Sequence, residues 1–181
     1  PPGAMSQTDS LEERLGVSFK DPSLLRLALT HRSYSNEARS PVAESNERLE
    51  FLGDALIGLV VAREVYERYP DRPEGELTAL RSALVRGETL ARIADSLEVG
   101  RHLIMGKGEE ASGGRGRPSN LATAFEALVG ALLLDGGYDV AAAFVIRATS
   151  DEMLAADGRK DHKSSKSRLQ ELVQRGSVAA P

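Results

Sequence analysis

Hydrophobic positions in this chain recur with a helical period along most of its length, and no stretch alternates convincingly as a strand would. Leu11 to Leu15 predict a short first helix after Ser10. Asp21-Pro22, a cap followed by proline at the first helical position, opens a second from Ser23 to about Tyr34, carrying Leu24, Leu25, Leu27 and Leu29. Residues 38–44 read as loop. A long helix is expected from about Ser45 to Tyr69; its second half, A-L-I-G-L-V-V-A, is apolar enough to be a central core helix, and Pro70 ends it. Pro73 opens the pattern L-T-A-L-R-S-A-L-V, and Gly87 separates that from Thr89–Leu97. Gly106 to Arg117 reads as a flexible Gly-rich loop. Pro118 starts an almost wholly apolar helix that Gly136-Gly137 terminates. An amphipathic helix over about Val140–Ala155 and a short one over Ser164–Gln174 complete an all-α expectation, with no internal repeat.

Within the long helix, N-E-R-L-E-F-L-G-D-A-L at 46–56 places Glu47, Glu50 and Asp54 at offsets of zero, three and seven. At ~3.6 residues per turn the three carboxylates share one stripe. A solvated helix face would look the same, but none of the three has a Lys or Arg three or four residues away. An unmatched anionic ridge favours a cation from elsewhere. In the apolar helix, A-F-E-A-L-V-G-A-L-L-L at 124–134 contains one polar residue, Glu126. A buried carboxylate costs several kcal/mol unless it is paired or bound to a metal. An arginine from another helix would satisfy it; so would a metal site shared with Glu50 and Asp54, which is the favoured reading. Glu74 sits where a carboxylate suits a helix N-terminus, and a functional role for it is equally open.

The chain has 181 residues and no cysteine, which suits one domain plus a fragment and removes disulfides and thiolate sites. The remaining hard oxygen ligands favour magnesium or manganese over zinc. His31, His102 and His162 are scattered and read as surface or capping residues. The apolar runs 55–62 and 127–134 fall far short of the ~20 residues that span a bilayer, and no signal-peptide pattern precedes them, so a cytoplasmic location is expected. Pro1 to Ala4, ahead of Met5, read as an expression remnant. Net charge is −4, yet Arg159–Arg168 alone carries +4, leaving −8 on the rest. An acidic body with a basic tail suggests that affinity for a polyanion is partly delegated to the tail and the segment after it. Lys107, Arg115 and Arg117 on the Gly-rich loop could touch phosphates, although its spacing is not that of a P-loop.

N-E-R-L-E-F-L-G-D-A-L resembles the signature of the ribonuclease III endonuclease domain. T-H-R-S-Y at Thr30, P-E-G-E-L at Pro73, G-K-G-E-E at Gly106 and F-E-A-L-V-G-A at Phe125 extend the resemblance in order across roughly 11–156. It implies an endonuclease domain over 5–158 with an all-helical ribonuclease III fold. It further implies a two-fold dimer that cuts both strands of double-stranded RNA with Mg²⁺, for which Mn²⁺ substitutes. The products would be 5′-phosphate and 3′-hydroxyl ends with short 3′ overhangs, as in the processing of ribosomal and other RNA precursors. A two-fold dimer offers one equivalent site to each antiparallel strand. Carried over, Glu50, Asp54 and Glu126 resemble metal ligands, with the chemistry resting most on Asp54 and Glu126. Glu47 and Glu74 match acids of the cleavage valley, and Phe51 matches an aromatic that packs into the partner subunit. The implied mechanism is attack on phosphorus by a metal-activated water.

One position departs from the family pattern: Thr123 stands where the best-studied members carry an aspartate that helps hold magnesium. A hydroxyl is the weaker ligand, and Asp135, ~18 Å further along the helix, cannot replace it. Thr123 could instead hydrogen-bond a water held by the ion, and a weakened or altered metal demand is expected. K-S-R-L-Q-E-L-V-Q at Lys166 resembles the opening helix of a double-stranded RNA-binding domain, so 159–181 read as a basic linker and the truncated first helix of such a module, with Ser167, Gln170 and Glu171 facing RNA. Two other readings stand beside a metal-dependent endoribonuclease. One is a relative that binds duplex RNA but no longer cuts it; the other is an all-α nucleotide pyrophosphohydrolase, which also builds magnesium sites from helical acids.

Overall fold

The computed structural model describes residues 7–38 and 44–176, with side chains placed for 11–37 and 44–157. The described residues form nine α-helices: α1 (Gln7–Leu15), α2 (Pro22–Ala28), α3 (Arg32–Ala38), α4 (Glu47–Arg68), α5 (Glu74–Val85), α6 (Gly87–Ser96), α7 (Lys107–Ala111), α8 (Pro118–Gly136) and α9 (Tyr138–Gly176). Two 3-10 turns, Val99–His102 and Gly114–Gly116, complete the order, and among the described residues the only β-type contact is an isolated parallel bridge between Thr30 and Ile104. The fold is all-α, as the hydrophobic period requires.

α8 is the core. Its residues from Asn120 to Leu132 are buried apart from Thr123 and Glu126, and Phe125 packs against Phe144 of α9 with ring centroids 5.7 Å apart. Around it lie α4, through Leu49, Leu56, Ile57, Val60 and Val61; α6, through Leu90, Ala91 and Ala94; and α9, through Ala141 and Val145. This burial is what stabilises α4 and α8, because helix propensity alone is marginal. No helix of the described residues is long and apolar enough to cross a membrane.

Asp21 caps α2 as expected, its Oδ1 accepting from the Ser23 amide at 2.9 Å. Three expectations need correction. The helix expected from Ser23 to Tyr34 is two helices. Between them the Leu29 carbonyl accepts from the Ile104 amide at 2.8 Å, the His31 amide donates to Ile104 O at 2.9 Å, and the Thr30 carbonyl accepts from Asn46 N at 2.9 Å. These partners from distant segments outweigh continuation of the helix. Gly106–Arg117, read as a flexible loop, instead contains α7 and a 3-10 turn. Its glycines serve close approach: a Cβ on Gly106 would lie 2.7 Å from Ser33 O, and one on Gly114 2.7 Å from Glu109 O. The linker expected after Ala155 continues α9 without a break to Gly176; residues 156–175 contain no proline and a single glycine, Gly158.

Candidate metal centre between α4 and α8

Two glycines set how closely the central helices approach. A Cβ on Gly53 of α4 would stand 1.8 Å from the backbone oxygen of Glu126, and one on Gly130 of α8 would stand 2.2 Å from Leu49 O. Only residues without side chains let the two backbones meet there. The sequence reading assigned these glycines no role, although a glycine in a helix interior costs ~1 kcal/mol and so signals a packing reason.

The crossing brings the non-buried face of α8 to the acidic stripe of α4. Thr123 and Glu126, three residues apart, are half-buried; Glu50 is half-buried and Asp54 is exposed. Thr123 Oγ1 donates to Glu50 Oε1 at 3.1 Å. The Glu126 carboxyl is pushed up from its ordinary 4.5 to about 7, first by burial and then by the negative charges of Asp54 and Glu50. No positive charge enters that balance, so the arginine that might have neutralised Glu126 is not what meets it. Hard oxygen donors with unrelieved mutual repulsion suit a divalent cation in chemistry. In geometry the site is still open, because among the described residues no three carboxylate or imidazole side chains are already gathered as a metal cluster.

The other sequence candidates are spread around this crossing. Glu47 turns to Ser45, whose hydroxyl donates to Oε2 at 2.7 Å, and lies 4.0 Å from Arg32, a counter-charge that no spacing within the helix could reveal. Glu74 is exposed in the first turn of α5 and accepts from Thr78 Oγ1 at 2.6 Å, as a helix-start carboxylate would. Phe51 is 79% exposed, at the edge of an open hollow of about 830 Å³ lined also by Leu24, Leu27, Arg48, Leu52 and Leu134. Asp135 is occupied elsewhere, accepting from the Lys20 and Asp21 amides at 2.9 and 2.8 Å.

The three loop cations have different fates. Lys107 is exposed at the first position of α7. Arg115 is committed: its guanidinium pairs with Glu110 at 2.8 Å and donates to the carbonyls of Gly100, Arg101 and Leu103 at 3.2, 3.2 and 2.7 Å. Arg117 pairs with Glu109 and donates to Ser112 Oγ at 3.1 Å. Glu109 also accepts from Asn120 Nδ2 at 2.8 Å, and these contacts with the Arg117 guanidinium keep its carboxyl below the usual range. His31 is half-buried ahead of α3 in a capping position, its Nδ1 2.8 Å from Ser33 Oγ and accepting from Ser33 N at 3.2 Å, and burial holds its pKa down.

Asn46 is a positioning residue that the sequence reading passed over. Buried at the start of α4, it donates from Nδ2 to Ala28 O at 3.2 Å while its backbone carbonyl accepts from Glu50 N at 2.8 Å. The side chains of Ser167, Gln170 and Glu171 lie outside the described residues.

The sequence profile of a family described as Ribonuclease-III-like matches residues 21–153. The chain is similar to Ribonuclease 3 of Symbiobacterium thermophilum, 52% identical over 93% of this chain and 71% of that protein. It is also similar to Ribonuclease 3 of Dehalococcoides mccartyi, 45% identical over 94% and 72%. Among solved structures, the nuclease domain of ribonuclease III from Campylobacter jejuni superposes with a TM-score of 0.74 at 39% identity, covering 80% of this chain and 97% of that one. That structure is described for flexibility in the region involved in its dimer formation. Helix order, the α4–α8 crossing and these similarities agree: the chain belongs to the ribonuclease III family.

Proposed function

We propose that this chain is an endoribonuclease that hydrolyses both strands of double-stranded RNA. Its centre is a divalent cation, Mg²⁺ with Mn²⁺ able to substitute, held by Glu50, Asp54 and Glu126. Family membership supports the substrate and reaction class. The observation that carries the site is the meeting of the Thr123–Glu126 face of α8 with the acidic stripe of α4, seen in the 3.1 Å contact of Thr123 Oγ1 with Glu50 Oε1; burial and the charges of Asp54 and Glu50 push the Glu126 carboxyl up to about 7. A divalent ion there would stabilise charge on the phosphoryl group and lower the pKa of an attacking water.

The chain's own residues supply the frame. Gly53 and Gly130 set the helix spacing, Asn46 anchors the start of α4, Thr123 holds one oxygen of Glu50, and exposed Asp54 is the carboxylate most open to substrate. The products are 5′-phosphate and 3′-hydroxyl ends with short 3′ overhangs, and the setting is processing of ribosomal and other RNA precursors in the cytoplasm. Two copies related by a two-fold axis bring one centre to each strand, with Phe51 of each in the other's apolar hollow. Glu47 and Glu74 line the valley between the copies. Lys107 is the loop cation available to phosphates, and residues 159–181 begin a double-stranded RNA-binding module.

Labelled duplex RNA incubated with Mg²⁺ and resolved on a denaturing gel tests the activity. Wild type should yield short fragments, and Glu126→Gln should yield none. Retention of intact duplex by the wild-type chain would favour a binding-only relative, and pyrophosphate release from a nucleoside triphosphate would favour the pyrophosphohydrolase.

A further inference from the structure

A threonine within a helix can satisfy its hydroxyl on the carbonyl four residues back. Thr149 Oγ1 of α9 does so, donating to Val145 O at 2.8 Å, and Thr30, just past the end of α2, donates likewise to Arg26 O at 2.8 Å, whereas Thr78 Oγ1 turns to the Glu74 side chain of its own helix at 2.6 Å. Thr123 has the same option in Ser119, yet its hydroxyl donates across the helix crossing to Glu50 Oε1, 73 residues away, at 3.1 Å. It reaches there because Thr123 and Glu126 form the one gap in the buried surface of α8 between Asn120 and Leu132.

We propose that Thr123 is a positioning residue for the metal centre: its hydroxyl fixes one oxygen of the Glu50 carboxylate on the α8 side of the crossing, so that Glu50 is pre-set toward a divalent ion. The inference rests on the reading of Glu50, Asp54 and Glu126 as metal ligands. A hydroxyl can do this only as a donor, and the ionised carboxylate is its acceptor. It also explains how the position works without a fourth charge. A carboxylate at 123 would add a ligand but would repel Glu50 until metal arrived, whereas the hydroxyl orders Glu50 before metal binds. Groups that orient a ligating carboxylate are worth roughly 10- to 100-fold in metal affinity.

The test uses the full chain without RNA and Mn²⁺ as the probe, with free ion read by electron paramagnetic resonance. Thr123→Val keeps the shape and removes the donor; its Mn²⁺ dissociation constant should rise about tenfold, while Thr123→Ser should stay within about twofold of wild type. Cleavage by the Val variant should recover at saturating Mg²⁺, so the loss lies in metal demand rather than in turnover. A purely structural threonine would lower the metal-free melting temperature and leave the Mn²⁺ constant unchanged, which overturns the proposal. Glu126→Gln separates the two levels. If it weakens Mn²⁺ binding and Thr123→Val does not, the metal site stands and the role of Thr123 falls. If the wild-type chain binds no Mn²⁺, or Glu126→Gln has no effect, the ligand assignment fails and this inference fails with it.

Discussion

Gly53 on α4 and Glu126 on α8 meet backbone to backbone, so closely that a Cβ on Gly53 would lie 1.8 Å from the Glu126 carbonyl oxygen. The neighbouring atoms are main chain in a buried crossing and cannot swing away as a flexible side chain would. Gly53→Ala should therefore cost about 3 kcal/mol, a fall in melting temperature of roughly 6 to 12 °C for a chain of this size. Circular dichroism melts measure it, and a midpoint within a degree of wild type would refute the crossing.

Metal-free stability should fall as pH rises from about 5 to 7.5. The folded Glu126 carboxyl keeps its proton up to about 7, whereas the unfolded one loses it near 4.5, so between these values the folded state binds more protons. The stabilisation is complete below 4.5 and is lost as pH passes 7. Glu126→Gln should flatten this slope and raise metal-free stability at pH 7.5 by about 1 kcal/mol, a figure already discounted for the partial exposure of the group. The same variant should lose cleavage by more than ~100-fold. Chemical denaturation in a chelating buffer across pH reads the first effect, and added Mg²⁺ should abolish the slope in wild type.

Thr123→Asp should have opposite effects with and without metal. It replaces the donor to Glu50 by a fourth anion, so the chelated protein should melt a few degrees lower, while the Mg²⁺ concentration for half-maximal cleavage should fall roughly several-fold. An unchanged Mg²⁺ titration would show that position 123 has no bearing on metal demand.

Arg115→Ala should act on stability rather than on RNA. It removes an ion pair with Glu110 and donors to three carbonyls, a loss of about 1.5 to 3 kcal/mol, while duplex-RNA affinity stays within about twofold. Lys107→Ala should instead leave the melting temperature alone and reduce the salt dependence of RNA binding by about one unit of slope. Melting curves and salt-titrated filter binding distinguish these outcomes, and a reversed pattern would return Arg115 to the RNA-contact role.

Phe51→Asp should shift the sedimentation profile from dimer to monomer and abolish cutting of both strands together. An aromatic that is 79% exposed beside an apolar hollow gains more from a partner than from water. An unchanged profile would remove Phe51 from the interface.

Periodicity alone determined that this chain is all-α, that 45–69 is a long helix and that the apolar stretch 124–134 lies in the core, where the structure buries it as far as Leu132 and leaves Leu134 exposed, because helical spacing is a property of a segment. Spacing along α4 likewise marked Glu50 and Asp54, and the isolation of Glu126 among apolar residues marked it as needing a partner. Tertiary structure decided everything that depends on two distant segments meeting. Pairing with Ile104 and Asn46 broke the second helix at Leu29–His31, and the carbonyls of 100–103 together with Glu110 occupied Arg115, a cation that had looked free. The meeting of Gly53 with Glu126 brought the Glu126 face of α8 to the acidic stripe of α4 and put the Thr123 hydroxyl within reach of Glu50. Neighbours along a helix follow from the order of residues, whereas contacts across a crossing depend on how closely two backbones can approach.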